Sequence, residues 1–493
     1  MEGAAFCRQD LPPARQKIRK EYMEVHAACD FKTLSYADSY WGGAGAGKPS
    51  VPLYMYTPGK PGSNFLTGEE FKAGSLPHVP ESKLEHCEQL SPSTGASWKL
   101  ERFGPLVGEG QYDWHRFGWK DIGQFGAELA KGDAWVTAFY FGPTTMEGEP
   151  LGVPPVHIHH MHVSTSQTHP VSESMILSNN FWGTPNEEGV VAVEFDTHGD
   201  RQCQYGKGGT DCLFRELPTG YGMKLLQAMD VFGDLNDVRP AGSPKLFFSV
   251  AFGFKWTTAP QRPVGRLIAA AGTTRVHDNY LMTFDPSTPV MTEYMMFDEM
   301  VFPVNATIVY PFFHSHHKFT THMWWFSATA EQLGLKKAPF ASLQPHDHLN
   351  KDGFVSAVNL TSLGMSMADA SNYIMENLER EQDACLAKRC RKGPQLRCML
   401  NLDRWDKLPN GDVQERFHSP RCDQWDMDAF EIITIVSFHR PFDKLEHKVD
   451  FYQHDVFYAY YTAKEPGQPI PHAVVPLPVA DGMGVINQFT PVQ

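Results

Sequence analysis

Short runs dense in β-branched and aromatic residues, each bounded by glycine, proline or another turn former, constrain this chain more than any other feature. DAWVTAFYF from Asp133, PPVHIHHMHV, GVVAVEF, GMKLLQAM, KLFFSVAFGFKW, ATIVYPFFHSHH, TTHMWWFSA, EIITIVSFH and DVFYAYYTA all read as strands. Glycine (41) and proline (37) together make about one residue in six, which suits turn-linked strands and opposes a helical bundle. The strand runs do not alternate with helical ones. The pattern therefore predicts a mainly β protein: two consecutive antiparallel β-sandwich, jelly-roll-like domains rather than βαβ repeats. The first sandwich is expected over 126–270 and the second over 271–465. Residues 1–125 read as a loop-rich region behind a short charged helix or tail at 1–30, and 466–493, rich in proline and valine, as an extended tail. One segment is helical by its spacing of apolar residues and its glutamate and alanine content: SMADASNYIMENLEREQDACLAKR. It sits in a partly helical, cysteine-bearing insertion expected at about 340–428.

Acidic residues (57) outnumber basic ones (43), for a formal net charge of −14. That balance argues against nucleic-acid binding, which uses a basic face. No apolar run approaches the ~20 residues of a membrane-spanning helix, so no membrane span is expected. The N-terminus MEGAAFCRQDLPPARQ shows no apolar h-region. The chain is expected either to be intracellular or to start downstream of a targeting segment, with the lean toward a secretory route. Cys203 and Cys212 flank a Gly-rich loop and read as a short disulfide. Cys385, Cys390, Cys398 and Cys422 crowd into one segment with no CxxC pair, which puts disulfides ahead of a zinc site. Asn305 (Asn-Ala-Thr) and Asn359 (Asn-Leu-Thr) are glycosylation sequons. GAGAGK lacks the spacer, the following Ser/Thr and the helical context of a phosphate loop.

The 22 histidines cluster. One run is His157-Ile-His159-His160-Met161-His162. The other is His314-Ser-His316-His317, followed by His322-Met323. Alternate residues of a strand share a face, so His314 and His316 fall together, about 7 Å apart, in phase with Ile308, Tyr310 and Phe312. Such a pair converges on one metal when a neighbouring strand supplies a third ligand. In the first run, pleating puts His157 and His159 on one face and His160 and His162 on the other. An adjacent pair such as His159-His160 serves one metal only where the strand bends or ends. Imidazole and thioether donors suit copper, zinc, iron or nickel. Carboxylates are sparse near both runs in the linear sequence, which counts against calcium, magnesium and a two-histidine, one-carboxylate iron site.

The ordered combination of these runs resembles the copper type II, ascorbate-dependent monooxygenases, the family of peptidylglycine α-hydroxylating and dopamine β-monooxygenases. The resemblance covers roughly residues 125–465. It implies that His159 and His160 of the His-His-Met run hold an electron-donating copper, and that His314 and His316 hold an oxygen-binding copper. DVFYAYYTA, with Tyr460-Tyr461, looks like the family strand that carries a methionine ligand ahead of a Tyr-Tyr. No methionine stands there, and His454 offers a replacement. The family's third histidine of the first copper aligns with Met229 in Leu226-Gln227-Ala228-Met229; His198 or another histidine of the first run is the alternative. The arginine that peptide-amidating members carry two residues before the His-x-His is Phe312 here, so a carboxylate clamp is missing. The resemblance thus implies O2 insertion into an activated C–H bond of a small, non-peptide, apolar or aromatic substrate, with two coppers and with ascorbate as electron donor. Phe312, Phe313, Trp324 and Trp325 are candidates for its pocket and equally good core residues.

Other classes fit less well. No cysteine is flanked by histidines, as a multicopper oxidase requires. A cupin needs a glutamate soon after its HxH, and none occurs before Glu173. A metal-binding descendant without turnover, and a β-rich binding protein with incidental histidines, stay open.

Overall fold

A computed structural model describes residues 13–33, 39–42, 78–108, 112–119, 127–149, 151, 155–166, 191–195, 214–225, 228–240, 242–271, 280–284, 291–302, 305–315, 320–340, 358–407, 413–418, 424–440, 449–453, 455–468 and 477–478. The fold is mainly β, built of antiparallel sheets. Among the described residues, no helix is long and apolar enough to cross a membrane. The chain forms two compact units. One gathers the described residues of Met1–Met55, Leu66–Arg266 and Trp405–Arg416, the other those of Leu267–Arg404 and Phe417–Gln493.

The first unit holds an 8-stranded and a 5-stranded sheet. The larger runs Lys32–Thr33, His78–Leu90, Ser97–Gly108, Leu246–Thr257, Trp135–Thr144, Tyr221–Lys224, Arg262–Pro263, with Phe214–Glu216 added on Trp135–Thr144. The smaller runs Ser39–Gly42, Tyr112–Trp119, Ala228–Asp237, Val156–Ser166, Val191–Phe195. The N-terminal helix Pro13–Ala28 lies on the larger sheet. Ile18, Tyr22 and Val25, one stripe of that helix, pack on Trp98, Leu100, Tyr140 and Ala251. Gly253 makes the seat: a Cβ there would stand 2.7 Å from Leu100 Cδ2 and 3.3 Å from Tyr22. Glu21, 1% exposed, accepts from Trp98 Nε1 (3.4 Å) and pairs with Lys255 (3.0 Å). A disulfide from Cys29 to Cys87 ties the helix end to the sheet.

The second unit is also a sandwich. Its larger sheet runs Val358–Asn359, Tyr294–Phe302, Glu431–His439, Thr320–Ser327, Gln395–Lys407, with Leu477–Pro478 on Tyr294–Phe302. Its 4-stranded sheet runs Gly265–Ala271, Asp455–Ala463, Ala306–Ser315, Trp425–Met427, and Tyr280–Phe284 pairs with Val449–Gln453. The two faces meet where Trp325 packs edge-on against Trp425 at 6.3 Å and Ser327 Oγ donates to Met427 Sδ. The outer face of the second unit's larger sheet is covered by the helix Met367–Lys388, whose Met367, Ala370, Ile374 and Leu378 pack on Phe297, Trp324, Phe326, Val436 and Phe438.

Three boundaries differ from expectation. The region 1–125 is not merely loop-rich: it supplies strands His78–Leu90, Ser97–Gly108 and Tyr112–Trp119, so the first sandwich begins before 126. The range 340–428 holds the expected helix, Met367–Lys388, and also strands of the sandwich: Gln395–Lys407 pairs with Thr320–Ser327 and Trp425–Met427 with Ala306–Ser315. The tail contributes Leu477–Pro478 to a sheet. In each case the strand is rich in charge or too short for its apolar alternation to stand out. Cys385 is paired with Cys390, and Cys398 is disulfide-bonded as well. Cys203, Cys212 and Cys422 lie outside the described residues.

Candidate metal centre

The first histidine run lies on Val156–Ser166, between Ala228–Asp237 and Val191–Phe195. For this run the structure describes backbone and register. His162 pairs with Phe232, His160 with Asp234, Ile158 with Leu235, and His157 with Asn236. One step along Ala228–Asp237, from Asp234 to Leu235, thus matches two steps along the histidine strand. His159 is the extra residue, and the strand carries a β-bulge there. This is the bend that an adjacent histidine pair requires.

The bulge also corrects the phase expected from simple pleating. Phe232, Asp234 and Asn236 alternate and share one face of their strand, so their partners His162, His160 and His157 share it too. His157 and His160 are not on opposite faces. The opposite set includes Val156 and Asp237, 1% and 3% exposed. Asp237 approaches the larger sheet: a Cβ on Gly108 would stand 2.7 Å from its Oδ2. The core side is therefore the Val156–Asp237 side, and positions 157, 160 and 162 fall in the other phase.

Met229 does not join them. It pairs with Thr165, five positions from the Asp234–His160 pair. At ~3.4 Å per residue that is about 17 Å, and it is in the opposite phase. The strand partner of His160 is Asp234, 74 positions along the chain. His198 lies outside the described residues.

In the second run, His314 pairs with Val456, and Ser315 with Asp455. His316 and His454 lie outside the described residues, yet each is the chain neighbour of one member of the Ser315–Asp455 pair. The Tyr-Tyr strand thus lies beside the strand that carries His314. A second bulge falls at Val309, between the pairs Ile308–Tyr461 and Tyr310–Tyr460, so Ile308 is out of phase with Tyr310 and Phe312.

Other expected contributors belong to the core. Trp324 and Trp325 are 6% and 0% exposed and belong to the core, one of the two places the sequence left open for them. His322 is half-buried, with Nδ1 2.9 Å from Thr321 Oγ1 and its ring edge-on to Phe438 at 5.9 Å. Burial, then the Arg440 charge, lowers its pKa and holds it neutral. Among the described residues, no group of three or more His, Cys, Asp or Glu is placed to hold a metal ion. The chain matches no family model and no curated protein.

Proposed function

We propose that this protein is a copper- and ascorbate-dependent monooxygenase that hydroxylates an activated C–H bond of a small, non-peptide, apolar or aromatic substrate. The observation that carries the reading is the bulge at His159, which supplies the break in phase that His159-His160 needs to serve one metal. The Ser315–Asp455 pair supports the second site, because it sets side by side the sequence neighbours of His316 and His454. His159 and His160 would hold the electron-donating copper, and His314, His316 and His454 the oxygen-binding one. Copper, when bound, supplies one-electron transfer and O2 activation. The balance is substrate C–H plus O2, two electrons and two protons giving C–OH and water, with ascorbate supplying the electrons.

The chain's own contribution is placement. Phe312, in the position of a carboxylate-binding arginine, leaves an incoming acid without a partner and favours an apolar substrate. The Cys29–Cys87 disulfide supports an oxidising compartment such as the secretory lumen. The test is ascorbate-dependent O2 consumption by copper-loaded protein over a panel of aryl and alkyl substrates. Activity is expected in the native protein and lost in His316→Ala; a variant that keeps it overturns the assignment. A second reading, a metal-binding protein of the same fold without turnover, draws on the separation of Met229 from the first run. It expects copper bound with no O2 consumed on any substrate.

A further inference from the structure

We propose that Asn305 is an N-glycosylation site and that its first sugar covers the exposed ring of Phe430. Asn305 opens the sequon Asn305-Ala306-Thr307 and is exposed, directly ahead of the strand Ala306–Ser315. The backbone N–H of Ala429 donates to Asn305 Oδ1 at 2.9 Å. An N–H donor meets only the oxygen of an amide, so Nδ2, the atom that takes the sugar, lies on the other side. Phe430 follows Ala429, about 3.8 Å further on at Cα. The other sequon asparagine, Asn359, is half-buried on the paired strand Val358–Asn359 and lacks this exposure. Nine positions, about 30 Å, separate Asn305 from His314 along one strand, so the sugar stands at the far end from that histidine.

Phe430 is an unusual residue for its place. The Glu431 N–H donates to Asp428 O at 3.0 Å and closes a turn. Phe430 has a φ of 66° and Ala429 no positive φ, the type II pattern, whose third position favours glycine or asparagine. A bulky side chain there is strained. The turn is clamped in place: Asp428 pairs with Lys464 at 2.6 Å and with Lys392 at 3.6 Å, and its N–H donates to Glu431 Oε2 at 3.0 Å. A ring left 65% exposed recovers little of the strain by packing within the chain. The C–H face of a sugar laid on the ring recovers more. The donor class is a lipid-diphosphate-linked oligosaccharide. Nδ2 bonds to C1 of the first sugar and loses a proton, while the bond from C1 to the diphosphate oxygen breaks and the lipid diphosphate leaves. Thr307 Oγ1, the hydroxyl that the sequon specifies, donates to Asp426 Oδ1 at 2.7 Å in the fold. Transfer therefore precedes the pairing of Ala306–Ser315 with Trp425–Met427.

The inference rests on the secretory reading, and the experiment keeps the two apart. The full chain is expressed behind a cleavable secretion leader in cultured eukaryotic cells, so that it passes through the lumen whatever its native address. Amidase removal of N-glycans in heavy-oxygen water converts each occupied asparagine to a labelled aspartate, which peptide mass spectrometry reads. Label at Asn305 is expected. Secreted protein without it overturns the inference and leaves the compartment reading standing. Thermal midpoints then test the contact with Phe430. Removing the glycans is expected to lower the midpoint of the native chain by about 2 °C or more, and that of Phe430→Gly by much less. Both proteins undergo the same amide-to-acid change, so its charge cancels in the comparison. Without glycans, Phe430→Gly is expected to be at least as stable as the native chain, because glycine relieves the left-handed φ. An equal drop in both proteins leaves the sugar without a contact on Phe430 and overturns that half of the inference.

Discussion

The most severe test of the packing in the first unit is a charge pair with no access to water. Lys99 and Glu101 are both 0% exposed on one face of Ser97–Gly108 and form an ion pair. Their partners on one side are Phe254 and Phe252, on the other Glu88 and His86. Burial pushes Glu101 up to about 8, against the pull of Lys99, and pushes Lys99 down, against the pull of Glu101 and Glu88. Removing one member leaves the other buried with its main counter-charge gone, which costs ~3–5 kcal/mol. Replacing both with apolar residues removes the desolvation cost as well, and such swaps are often neutral or stabilising. Lys99→Met and Glu101→Leu are therefore each expected to lose about that amount where Glu101 is ionised, above its folded value of about 8, and the double variant to recover most of it.

The pH dependence has a definite sign. Unfolded, Glu101 titrates near 4.5; folded, near 8. Between these values the folded state binds the extra proton, so the contribution of Glu101 to stability falls as pH rises. Lys99 acts in the opposite sense. Below its ordinary 10.5 the unfolded state binds more protons, so its contribution rises with pH toward that value. Stability of the native protein is expected to dip between the two windows, and the double variant to flatten the dip. Guanidinium titrations followed by tryptophan fluorescence across this pH range measure both effects. A single variant losing under about 1 kcal/mol, or a double variant weaker than either single, would refute the account.

Cys29→Ser opens a cross-link of sequence separation 58, worth up to about 4 kcal/mol on loop entropy; a thermal midpoint unchanged by the substitution contradicts the role of this bond. Ile374→Ala, at a position 0% exposed beneath the helix Met367–Lys388, is expected to cost ~2–5 kcal/mol in denaturant titrations, and a cost under ~1 kcal/mol would mean that the helix does not seal that sheet. Ser366→Ala removes one half of the capping box with Asp369 and is expected to cost about 1 kcal/mol, with a matching rise in amide exchange over the first helical turn; no change in exchange speaks against the cap.

What was legible in the linear chain follows from where each strand finds its partners. KLFFSVAFGFKW and EIITIVSFH pack on both faces and announce themselves by apolar content alone. The helix Met367–Lys388 is equally plain, because its cap and its buried stripe are local. His78–Leu90 is different: its Glu85 is held by Arg102 (2.6 Å) and its Cys87 by Cys29, so the partners that make it a strand lie elsewhere. Gln395–Lys407 hides for the same reason, with Cys398 buried among charged neighbours and Arg397 donating to Ser327 Oγ at 2.8 Å. Charge in a strand reads as loop until the opposite charge is in view.

The metal centre sharpens that point, because there the linear reading depended on counting. Pleating is a two-residue arithmetic, and one inserted residue reverses it for everything beyond. Read without the bulge, the first run splits its histidines between two faces, and an adjacent pair is unusable. With His159 as the extra residue, His157, His160 and His162 fall in one phase, and Asp234 comes opposite His160 from 74 positions along the chain. Met229 fails by the same arithmetic, being an odd number of steps from Asp234 and therefore on the other face. Motif order alone did not convey this, since order is preserved whether or not the strand is bulged. Which residues share a face of a sheet is set by register, and here the register puts His157, His160 and His162 in one phase and Met229 in the other.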